Sequence, residues 1–566
     1  MAYTLNRRSF LASTAALPAV GLAPASAALA AAAPAGTASL IDGERSAIVS
    51  AMAGSRIGAT AVCLVQDGKP QWVEGFGHTT DVDGQAVDAR TLFSIQSTSK
   101  HFAAVAVLLA VQDGLLDLDA PITRYLPAFT VNSRFERAPQ ERITLRLLLA
   151  NRAGFTHEAP VGNNYDAASP DFETHVRSIE KTWLRFPVGE RYRYSNLGFD
   201  LAGHILERAV GMPYAQWLQT RLFAPLGMQD STADAAVHQA RANRARGLQE
   251  GHAEVPSVTP LLVSGGVWTS ARDMATYLAF MLSGGRHAGR QLLAPASWKQ
   301  MHGFGLGGDY GLGVMRTERR YGQSPVRLLH HRGGGFGFGC VFTYCVEAGV
   351  GFAAMFNRAT SAGYRFGDAL IDQLLADCFG PRAPRLPASA LATIQPTPAR
   401  VRAFVGHWIG RNMRAQIRSD DEGRLHLHRT EGEPGVALGV MDVDAVFTVD
   451  AEGEVVNYRY HAATGDQPAH LECASGEESL DHNDGPDLPR GPDTPQWERW
   501  LGRYRIDQWG RSSMVVEVER RSGWLYLDGT RLVVETEPCL FFTSDGEAVD
   551  FRGPVPTWRN LRLQRV

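Results

Sequence analysis

Strand-like segments lie at the two ends of the region between residues 40 and 380, and helical patterns fill the chain between them. Residues 58–77 predict two strands around a tight turn, and residues 327–342 and 349–356 predict a late pair of strands. The helical patterns cover residues 197–210, 214–222, 270–282 and 363–378. This order predicts an α/β (α+β) domain whose sheet joins the first strands of the region to the last.

The segment Ser97-Thr-Ser-Lys100 precedes an apolar run from His101 to Leu116. If a helix begins at Ser97, residues three apart project from one face, so the serine hydroxyl lies beside the lysine amine. A lysine with a depressed pKa can take the proton of a serine, whereas arginine cannot lose its own proton. The chain keeps four lysines among its 56 basic residues. The segment therefore predicts an activated serine nucleophile, with a helix N-cap serine as the alternative.

A second copy of this spacing, Ser178-Ile-Glu-Lys181, lies in a charged stretch from Asp171 to Leu184. Mixed charge at helical spacing is typical of a solvated helix face. We therefore interpret this copy as an ordinary surface helix.

Residues 1–37 predict a twin-arginine signal peptide. Arg7 and Arg8 lie in Asn-Arg-Arg-Ser-Phe-Leu, an alanine-rich stretch follows, and Ala25-Ser-Ala27 is typical of a cleavage site. An uncleaved membrane anchor is the alternative, but alanines give this stretch little membrane affinity and prolines interrupt it. No later stretch has the roughly 18 apolar residues of a spanning helix. The sequence predicts a bacterial protein that is periplasmic or secreted, with no membrane span after signal removal.

Composition argues against several classes of protein. A net charge of -3 leaves no electrostatic footprint for nucleic acid. The six cysteines have no Cys-x-x-Cys spacing, and Cys340 and Cys345 are placed to face opposite sides of one strand. His426 and His428 alternate along a predicted strand, which accounts for their spacing without a metal ion. We predict no metal site and no cofactor.

Further segments follow Ser97 and Lys100 in order along the chain. They are Phe186-Pro-Val-Gly with Tyr194-Ser-Asn196, Pro225-Leu-Gly-Met228, the run from Ser264-Gly-Gly to Asp273, and His331-Arg-Gly333. Together these segments resemble the serine β-lactamase-like or penicillin-binding family, which includes class C β-lactamases, DD-peptidases, D-aminopeptidases and related esterases. The resemblance covers residues 40–380 and implies a serine hydrolase that works through an acyl-enzyme.

The resemblance implies a role for each matching residue. Ser97 is the acylated nucleophile, Lys100 is its activating partner, and Tyr194 transfers the proton to the leaving group. Asn196 holds the acyl-side amide of the substrate, and His331 lies on the strand that lines the site. The structural alternatives are a half-buried aromatic for Tyr194 and a helix N-cap for Asn196.

The same strand of the family supplies an N–H group to the oxyanion hole. By position this donor is Gly334, paired with the N–H of Ser97. Gly333 and Gly334 suit a backbone that a substrate approaches closely, and a bulge without function is the alternative. A slip of one residue would put His330 in place of His331, but on the opposite side of the strand.

The sequence departs from the antibiotic-degrading members at this strand. A lysine in their Lys-Thr-Gly segment is a permanent cation, whereas we expect His331 to lie near its pKa at neutral pH. Arg332 is expected to point away from His331. A strong carboxylate clamp is therefore not indicated, which favours an amide or ester substrate. Residues 132–171 and 229–260 are expected to shape the pocket.

The C-terminal part of the chain contains a repeat. Phe404-Val-Gly-His-Trp408 recurs as Trp500-Leu-Gly-Arg-Tyr504, Gly423–Leu427 as Gly523–Leu527, and Phe447–Asp450 as Phe542–Asp545. Two copies of a small antiparallel β unit are predicted, and they resemble the lipocalin-like barrels of D-aminopeptidases. The predicted boundaries are signal peptide 1–37, hydrolase domain 38–380, linker 381–398, barrel 399–475, linker 476–495 and barrel 496–566.

Three functions remain open at this point. The first is an exported serine hydrolase that acts through a Ser97 acyl-enzyme on a peptide, amide or ester, with D-amino-acid-containing peptides of the D-aminopeptidase type among the candidates. The second is a β-lactamase or DD-carboxypeptidase. The third is a non-catalytic ligand-binding or sensing protein, which is expected to lose Ser97, Lys100 or Tyr194, yet all three are present. The expected partner is a small-molecule or peptide substrate, and the sequence leaves the oligomeric state open.

Overall fold

The structure is a computed structural model that describes residues 35–566 with several short gaps. The gaps are residues 81–83, 167–168, 253–254, 259, 307, 384–392, 410–413, 430–434, 442–444, 450–454, 464–468, 474–478, 483–493, 522 and 544. The predicted signal peptide lies outside the described residues except for its last three positions. No helix in the described part of the chain is long and apolar enough to cross a membrane.

Helices occupy much of the chain up to residue 404. The α-helices are α1 Ala35–Ser55, α2 Ser99–Gln112, α3 Leu145–Leu149, α4 Phe172–Ile179, α5 Leu197–Val210, α6 Tyr214–Leu218, α7 Ala224–Leu226, α8 Ala235–Ala240, α9 Leu262–Gly265, α10 Ala271–Leu282, α11 Pro295–Met301, α12 Asp368–Phe379 and α13 Pro398–Phe404. Short 3-10 turns lie at Gln96–Thr98, Ile122–Arg124, Pro139–Glu141, Gly363–Arg365 and Pro495–Trp500.

The predicted helices are present, with local changes at their ends. Helix α5 has the predicted bounds. A π-helical turn at Gln219–Phe223 replaces the second half of the helix predicted over residues 214–222, and α7 follows this turn. Helix α10 begins after Ser270, whose side chain accepts a hydrogen bond from the Asp273 N–H and caps the helix. Gly367 interrupts the last predicted helix with a φ of 82°.

The strands of the N-terminal domain are β1 Ala59–Gln66, β2 Lys69–Gly77, β3 Phe93–Ser94, β4 Trp268–Thr269, β5 Arg286–His287, β6 Arg290–Gln291, β7 Met315–Tyr321, β8 Ser324–Gly335, β9 Phe338–Cys345 and β10 Val350–Phe356. Six of them form an antiparallel sheet at the centre of the domain, in the order β2-β1-β10-β9-β8-β7, whereas β3 pairs with β4 and β5 pairs with β6 outside this sheet. Thr60 of β1 lies opposite Phe356 of β10. The predicted joining of the first and last strands is therefore confirmed.

Helices cover both faces of this sheet, and the apolar run of β1 explains why. Ala61 and Cys63 pack into the larger hydrophobic core, which contains α2, α5 and α10. Val62 and Leu64 pack into a second core with α1 and α12. Alternate residues of one strand point to opposite faces, so a continuous apolar strand requires cover on both sides.

The two strand cysteines follow the same rule. Cys340 lies in the larger core and Cys345 in the second core, so the two thiols face opposite sides of β9. All six cysteines are free thiols. The prediction that Cys340 and Cys345 do not pair is confirmed.

Residues 327–342 form a hairpin and not the single strand predicted from the sequence. Strand β8 ends at Gly335 and β9 begins at Phe338, with a turn at Phe336-Gly337 between them. Both turn residues have positive φ, 48° for Phe336 and 74° for Gly337. This pair of angles is typical of a two-residue hairpin turn. The glycine-rich run concealed the turn because alternating Gly and Phe also suit a strand.

Two small antiparallel β units follow the N-terminal domain. The first is a closed barrel of β11 Gly406–Ile409, β12 Arg414–Ser419, β13 Leu425–His428, β14 Val436–Val440, β15 Ala445–Val449, β16 Val455–His461, β17 His470–Cys473 and β18 Ser479–His482. The second is a nearly closed sheet of β19 Gly502–Gln508, β20 Arg511–Arg521, β21 Trp524–Leu527, β22 Thr530–Glu537, β23 Leu540–Thr543, β24 Ala548–Asp550, β25 Thr557–Trp558, β26 Leu561–Arg562 and β27 Gln564–Arg565. The predicted fold class is confirmed, but Trp408 pairs with His482, so the first barrel extends beyond its predicted end at residue 475.

The sequence repeat has a matching geometry in the two barrels. Trp408 donates its indole N–H to the Phe404 carbonyl oxygen at 2.7 Å. Tyr504 donates its hydroxyl to the Trp500 carbonyl oxygen at 2.7 Å. Each hydrogen bond joins the end of a helical turn to the first strand of its barrel. The recurring aromatic residues therefore stabilise the same helix-to-strand connection in both copies.

Candidate active site

Ser97 lies in the 3-10 turn that leads into α2, a helix in which 12 of 14 residues are buried. Gln96 has a φ of 48°, a conformation that costs free energy in a residue with a side chain. Strand β8 packs directly against this turn, because a Cβ atom at Gly333 would lie 1.9 Å from the Ile95 carbonyl oxygen. The close approach of β8 thus holds the turn that presents Ser97.

Lys100 is fully buried on the first turn of α2. Its Nζ donates hydrogen bonds to Asn196 Oδ1 at 2.7 Å and to the Ser264 carbonyl oxygen at 3.0 Å, and it lies within hydrogen-bond distance of Ser97 Oγ at 3.2 Å. Burial lowers the pKa of Lys100 to about 7, against the opposing charges of Asp200 and Glu158. A large fraction of these amines is therefore neutral near neutral pH.

Asn196 is at the N-cap position of α5, but its side chain makes no capping hydrogen bond. The Ser195 hydroxyl accepts from the Leu197 N–H at 3.1 Å and does this work instead. Asn196 Oδ1 accepts a hydrogen bond from Lys100, so the amide nitrogen of Asn196 is the end left for other groups.

Tyr194 is half-buried beside Lys100. The centre of its ring lies 4.8 Å from Lys100 Nζ, within the range of a cation–π contact. The rings of His331 and Tyr310 each lie 6.3 Å from it. The structure thus brings Ser97, Lys100 and Tyr194 together.

His331 is 1% exposed and lies behind Tyr194. Its Nδ1 donates to the Arg332 carbonyl oxygen at 2.8 Å, so Nε2 accepts from the Tyr310 hydroxyl at 3.0 Å. Burial and the nearby Lys100 lower the pKa of His331 to about 3. The expectation that His331 titrates near neutral pH was therefore wrong, because neither the burial of His331 nor its cationic neighbour can be seen from residue order alone.

The alternative histidine lies on the other side of the strand. His330 Nε2 is 2.9 Å from Thr317 Oγ1 of β7, away from Lys100. Arg332 is exposed, as expected from its alternation with His331. Neither residue reaches the Ser97 side of β8.

A small pocket opens beside Ser97. The lining residues are Gln96, Ser97, His157, Asn164, Tyr194, Asn196, Leu261, Ser264, Gly265 and Gly334. Four predicted site residues are among them, whereas Lys100, Gly333 and His331 lie behind the lining. Most of the lining groups are polar, and no arginine or lysine is present in the described part of this lining.

Sequence reasoning missed two buried residues next to this pocket. His157 Nδ1 lies 2.7 Å from Glu158 Oε1. Glu158 also accepts hydrogen bonds from the side-chain amide of Asn164 at 2.9 Å and from its backbone N–H at 3.1 Å. Burial raises the pKa of Glu158, but His157 and Asn164 outweigh it and lower the pKa below its usual value. No spacing in the sequence signalled this pair, because it lies in a loop within the predicted pocket-shaping range.

The second barrel holds the loop that carries these residues. Asn560 donates its amide to the Glu158 carbonyl oxygen at 2.7 Å, and Gln508 donates to the Asn164 carbonyl oxygen at 3.2 Å. Described barrel residues do not line the pocket themselves. The second barrel therefore acts on the pocket through residues 156–165.

The second Ser-x-x-Lys copy has a different environment from Ser97. Ser178 is buried in α4 and donates to the His175 carbonyl oxygen at 2.7 Å. Lys181 lies beyond the end of α4 and is exposed. The prediction of a solvated face was thus wrong for Ser178, although the two side chains form no pair.

Comparisons with known proteins identify the family of this chain. A family model described as Beta-lactamase matches residues 45–377. The chain is 30% identical to Beta-lactamase-like protein 4 of Dictyostelium discoideum over 204 residues, which are 34% of this chain and 36% of that protein. It is 24% identical to the D-alanyl-D-alanine-carboxypeptidase/endopeptidase AmpH of Escherichia coli K12 over 346 residues, which are 59% of this chain and 88% of that protein.

A solved structure also shares the fold. The crystal structure of SurE superposes with a TM-score of 0.55 at 23% identity, covering 79% of this chain and 99% of that chain. The family match takes in more than half of the chain and includes the Ser97 turn, Lys100 and Tyr194. The chain therefore belongs to the β-lactamase family and is a serine hydrolase.

Proposed function

We propose that Ser97 is the nucleophile of an acyl-enzyme mechanism and that Lys100 is its general base. A neutral lysine amine has two N–H groups and one lone pair. The oxygens of Asn196 and Ser264 can only accept, so they take the two N–H groups. The lone pair is then left for the Ser97 hydroxyl, 3.2 Å away. This arrangement, together with a pKa of about 7, is the observation that carries the proposal.

Tyr194 completes the proton path in this mechanism. Lys100 takes the proton of Ser97 as Oγ bonds to the substrate carbonyl carbon. The Tyr194 hydroxyl then gives a proton to the leaving group as its bond to that carbon breaks, and Lys100 restores the hydroxyl. A neutral His331, bonded to Tyr310, adds no second positive charge to oppose protonation of Lys100.

Backbone and amide groups bind the substrate in this proposal. The N–H groups of Ser97 and Gly334 stabilise the oxyanion of the tetrahedral intermediate. Gly333 permits this by letting β8 approach the Ser97 turn. The amide nitrogen of Asn196 donates to the carbonyl oxygen on the acyl side of the substrate, since its own oxygen is held by Lys100.

We propose a peptide, amide or ester substrate that needs no carboxylate beside the scissile bond. The lining described above has no arginine or lysine, and Arg332 is exposed on the other side of β8. Peptides that contain D-residues are the first substrates to test, because the relative AmpH is named as a D-alanyl-D-alanine carboxypeptidase and endopeptidase. Internal cleavage of a peptide requires no free carboxylate.

A β-lactamase or DD-carboxypeptidase activity is the second candidate, favoured by the carboxypeptidase part of that name. It uses the same nucleophile on a substrate with a carboxylate. Fast turnover of a penicillin would select it, whereas a slow or stable penicilloyl adduct favours the D-peptide hydrolase. A non-catalytic binding protein is the third candidate and predicts no adduct at all.

Intact-mass measurement tests the nucleophile. The mature protein is incubated with a fluorophosphonate and, separately, with a penicillin. We expect one adduct that is lost in Ser97→Ala and retained in Ser178→Ala, since Ser178 has the same Ser-x-x-Lys spacing without the paired lysine. An adduct retained in Ser97→Ala contradicts the assignment of the nucleophile.

We also propose export by the twin-arginine route. Support comes from Arg7 and Arg8 in their hexapeptide and from the alanine-rich stretch that follows. Residues 1–37 fused to a reporter protein should direct it out of the cytoplasm, and the double substitution Arg7→Lys with Arg8→Lys should stop this. Unchanged export of the double variant would contradict the route.

A further inference from the structure

The pocket holds a second acid–base pair that the acylation mechanism does not use. His157 lines the pocket together with Ser97, and its ring stacks on Tyr194 with a centroid separation of 5.9 Å and an interplanar angle of 27°. Its Nδ1 is bonded to Glu158, and both side chains are only 4% exposed. A buried histidine–carboxylate pair therefore lies beside the nucleophile.

The carboxylate defines the state of the imidazole. Glu158 accepts two further hydrogen bonds from Asn164, which stabilise its ionised form and hold its position. An ionised carboxylate can only accept, so the proton of the imidazole lies on Nδ1. The lone pair of a neutral His157 is then on Nε2.

The loop is also held from the barrel side. Asn560 fixes the Glu158 carbonyl oxygen, and Thr156 donates its hydroxyl to Glu547 Oε2 at 2.6 Å. The Ser195 hydroxyl donates to the Thr156 carbonyl oxygen at 2.6 Å, which joins the loop to the Tyr194 segment. These contacts hold the loop on both sides and fix the position of the His157 imidazole, and proton transfer requires such a fixed geometry.

We propose that His157, oriented by Glu158, is the general base for deacylation of the Ser97 acyl-enzyme. This inference rests on the proposed function. His157 Nε2 takes a proton from a water molecule as the water oxygen bonds to the acyl carbon. The bond between that carbon and Ser97 Oγ then breaks, and the imidazolium returns its proton to Oγ. The carboxylic acid product leaves and loses its remaining proton to solvent.

The use of different bases for acylation and deacylation has a geometric reason. Lys100 contacts Ser97 Oγ from behind the pocket lining and is suited to remove the proton of the serine. The attacking water approaches the acyl carbon from the open pocket, where His157 and not Lys100 is part of the lining. One base for each half-reaction therefore matches the two directions of approach.

Stopped-flow kinetics with p-nitrophenyl acetate separates the two half-reactions. The wild-type protein should release p-nitrophenolate and turn over. The His157→Gln variant should keep a burst of about one equivalent while its steady-state rate falls on the order of 10²–10⁴-fold. An acetyl adduct should then accumulate on Ser97 in intact-mass spectra. Glu158→Gln should shift the balance in the same direction, because it removes the carboxylate that orients the imidazole.

The controls distinguish this role from a structural one. His287→Gln, in the β5–β6 hairpin outside the pocket lining, should leave both phases unchanged. Equal slowing of burst and steady state in His157→Gln, or no slowing of either, would overturn the assignment. Thermal unfolding of each variant shows whether it is folded. If His157→Gln has a folding defect, the kinetics of Glu158→Gln test the proposal instead. Absence of a Ser97 adduct in the wild-type protein with every probe would instead overturn the proposed function itself.

Discussion

The guanidinium of Arg185 lies 2.8 Å from Asp545 Oδ2 and joins the N-terminal domain to the second barrel. Arg185 also lies 3.1 Å from Glu547 Oε1, and its side chain is 4% exposed. Buried charges are tolerated when they are paired and become costly when one partner is lost. The contact between these domains thus depends on the Arg185 guanidinium and on the carboxylates of Asp545 and Glu547.

Removal of the guanidinium should destabilise this contact strongly. We expect Arg185→Ala to lower the free energy of unfolding by about 3 kcal/mol, because the buried carboxylates of Asp545 and Glu547 then keep only the more distant guanidinium of Arg559, at 3.7 and 3.9 Å. Arg177→Ala removes an exposed pair with Glu173 and should cost no more than about 0.5 kcal/mol. Urea denaturation measures both variants, and equal losses would contradict the structural reasoning.

The same pair predicts a dependence of stability on pH. Burial raises the pKa of Asp545, but Arg185 and Arg559 outweigh it and lower the pKa from 3.8 to about 2. The folded pKa is below the unfolded one, so the stabilisation is fully present above about pH 4 and is lost as the pH falls through 2. This lowering of the pKa corresponds to a stabilisation on the order of 2 kcal/mol.

Urea midpoints at several pH values between 6 and 2 test this dependence. The stability difference between the wild-type protein and Asp545→Asn should be largest at pH 6 and should narrow towards pH 2. A stability difference that stays constant over this range would show that the pKa of Asp545 is the same in the folded and unfolded states.

Acylation should depend on the neutral form of Lys100. The pKa of about 7 predicts that the rate of fluorophosphonate labelling rises with pH up to about 7 and then levels off. Lys100→Arg should lower this rate by at least about 10²-fold, because arginine cannot act as a base. The control Lys181→Arg changes an exposed lysine and should leave the labelling rate unchanged. A labelling rate that does not vary with pH in the wild-type protein would argue against Lys100 as the base.

A methyl group at position 333 should displace the nucleophile. In Gly333→Ala the new Cβ would lie 1.9 Å from the Ile95 carbonyl oxygen and 3.2 Å from the Ser97 nitrogen, so β8 or the turn must move. We expect a loss of labelling by at least about 10²-fold, since small displacements of reacting groups have effects of this size. Gly54→Ala is the control, because Gly54 lies on α1 and a Cβ atom added there would have no packing neighbour within 4 Å. This substitution should raise the free energy of unfolding by about 0.5 kcal/mol. Normal labelling of Gly333→Ala would contradict the close packing.

Local patterns in the sequence were sufficient for the fold class, the Ser97 segment and the repeated barrels. Apolar strands, the Ser97-to-Lys100 spacing and the recurring aromatic residues of Phe404–Trp408 and Trp500–Tyr504 are properties of neighbouring positions, and local geometry follows from them. The hairpin at Phe336-Gly337 was missed because its two φ angles leave no distinct mark in a glycine-rich run.

The chemistry of the site, in contrast, depends on residues that meet only after folding. Burial and distant neighbours set the protonation of Lys100 and His331, and neither can be measured along the chain. The His157–Glu158 pair reaches the pocket because Asn560 and Gln508 of the second barrel hold its loop. Residue identity and spacing follow from the sequence, whereas pKa values and the grouping of remote side chains are properties of the packed molecule, because desolvation and electrostatic interactions act through space.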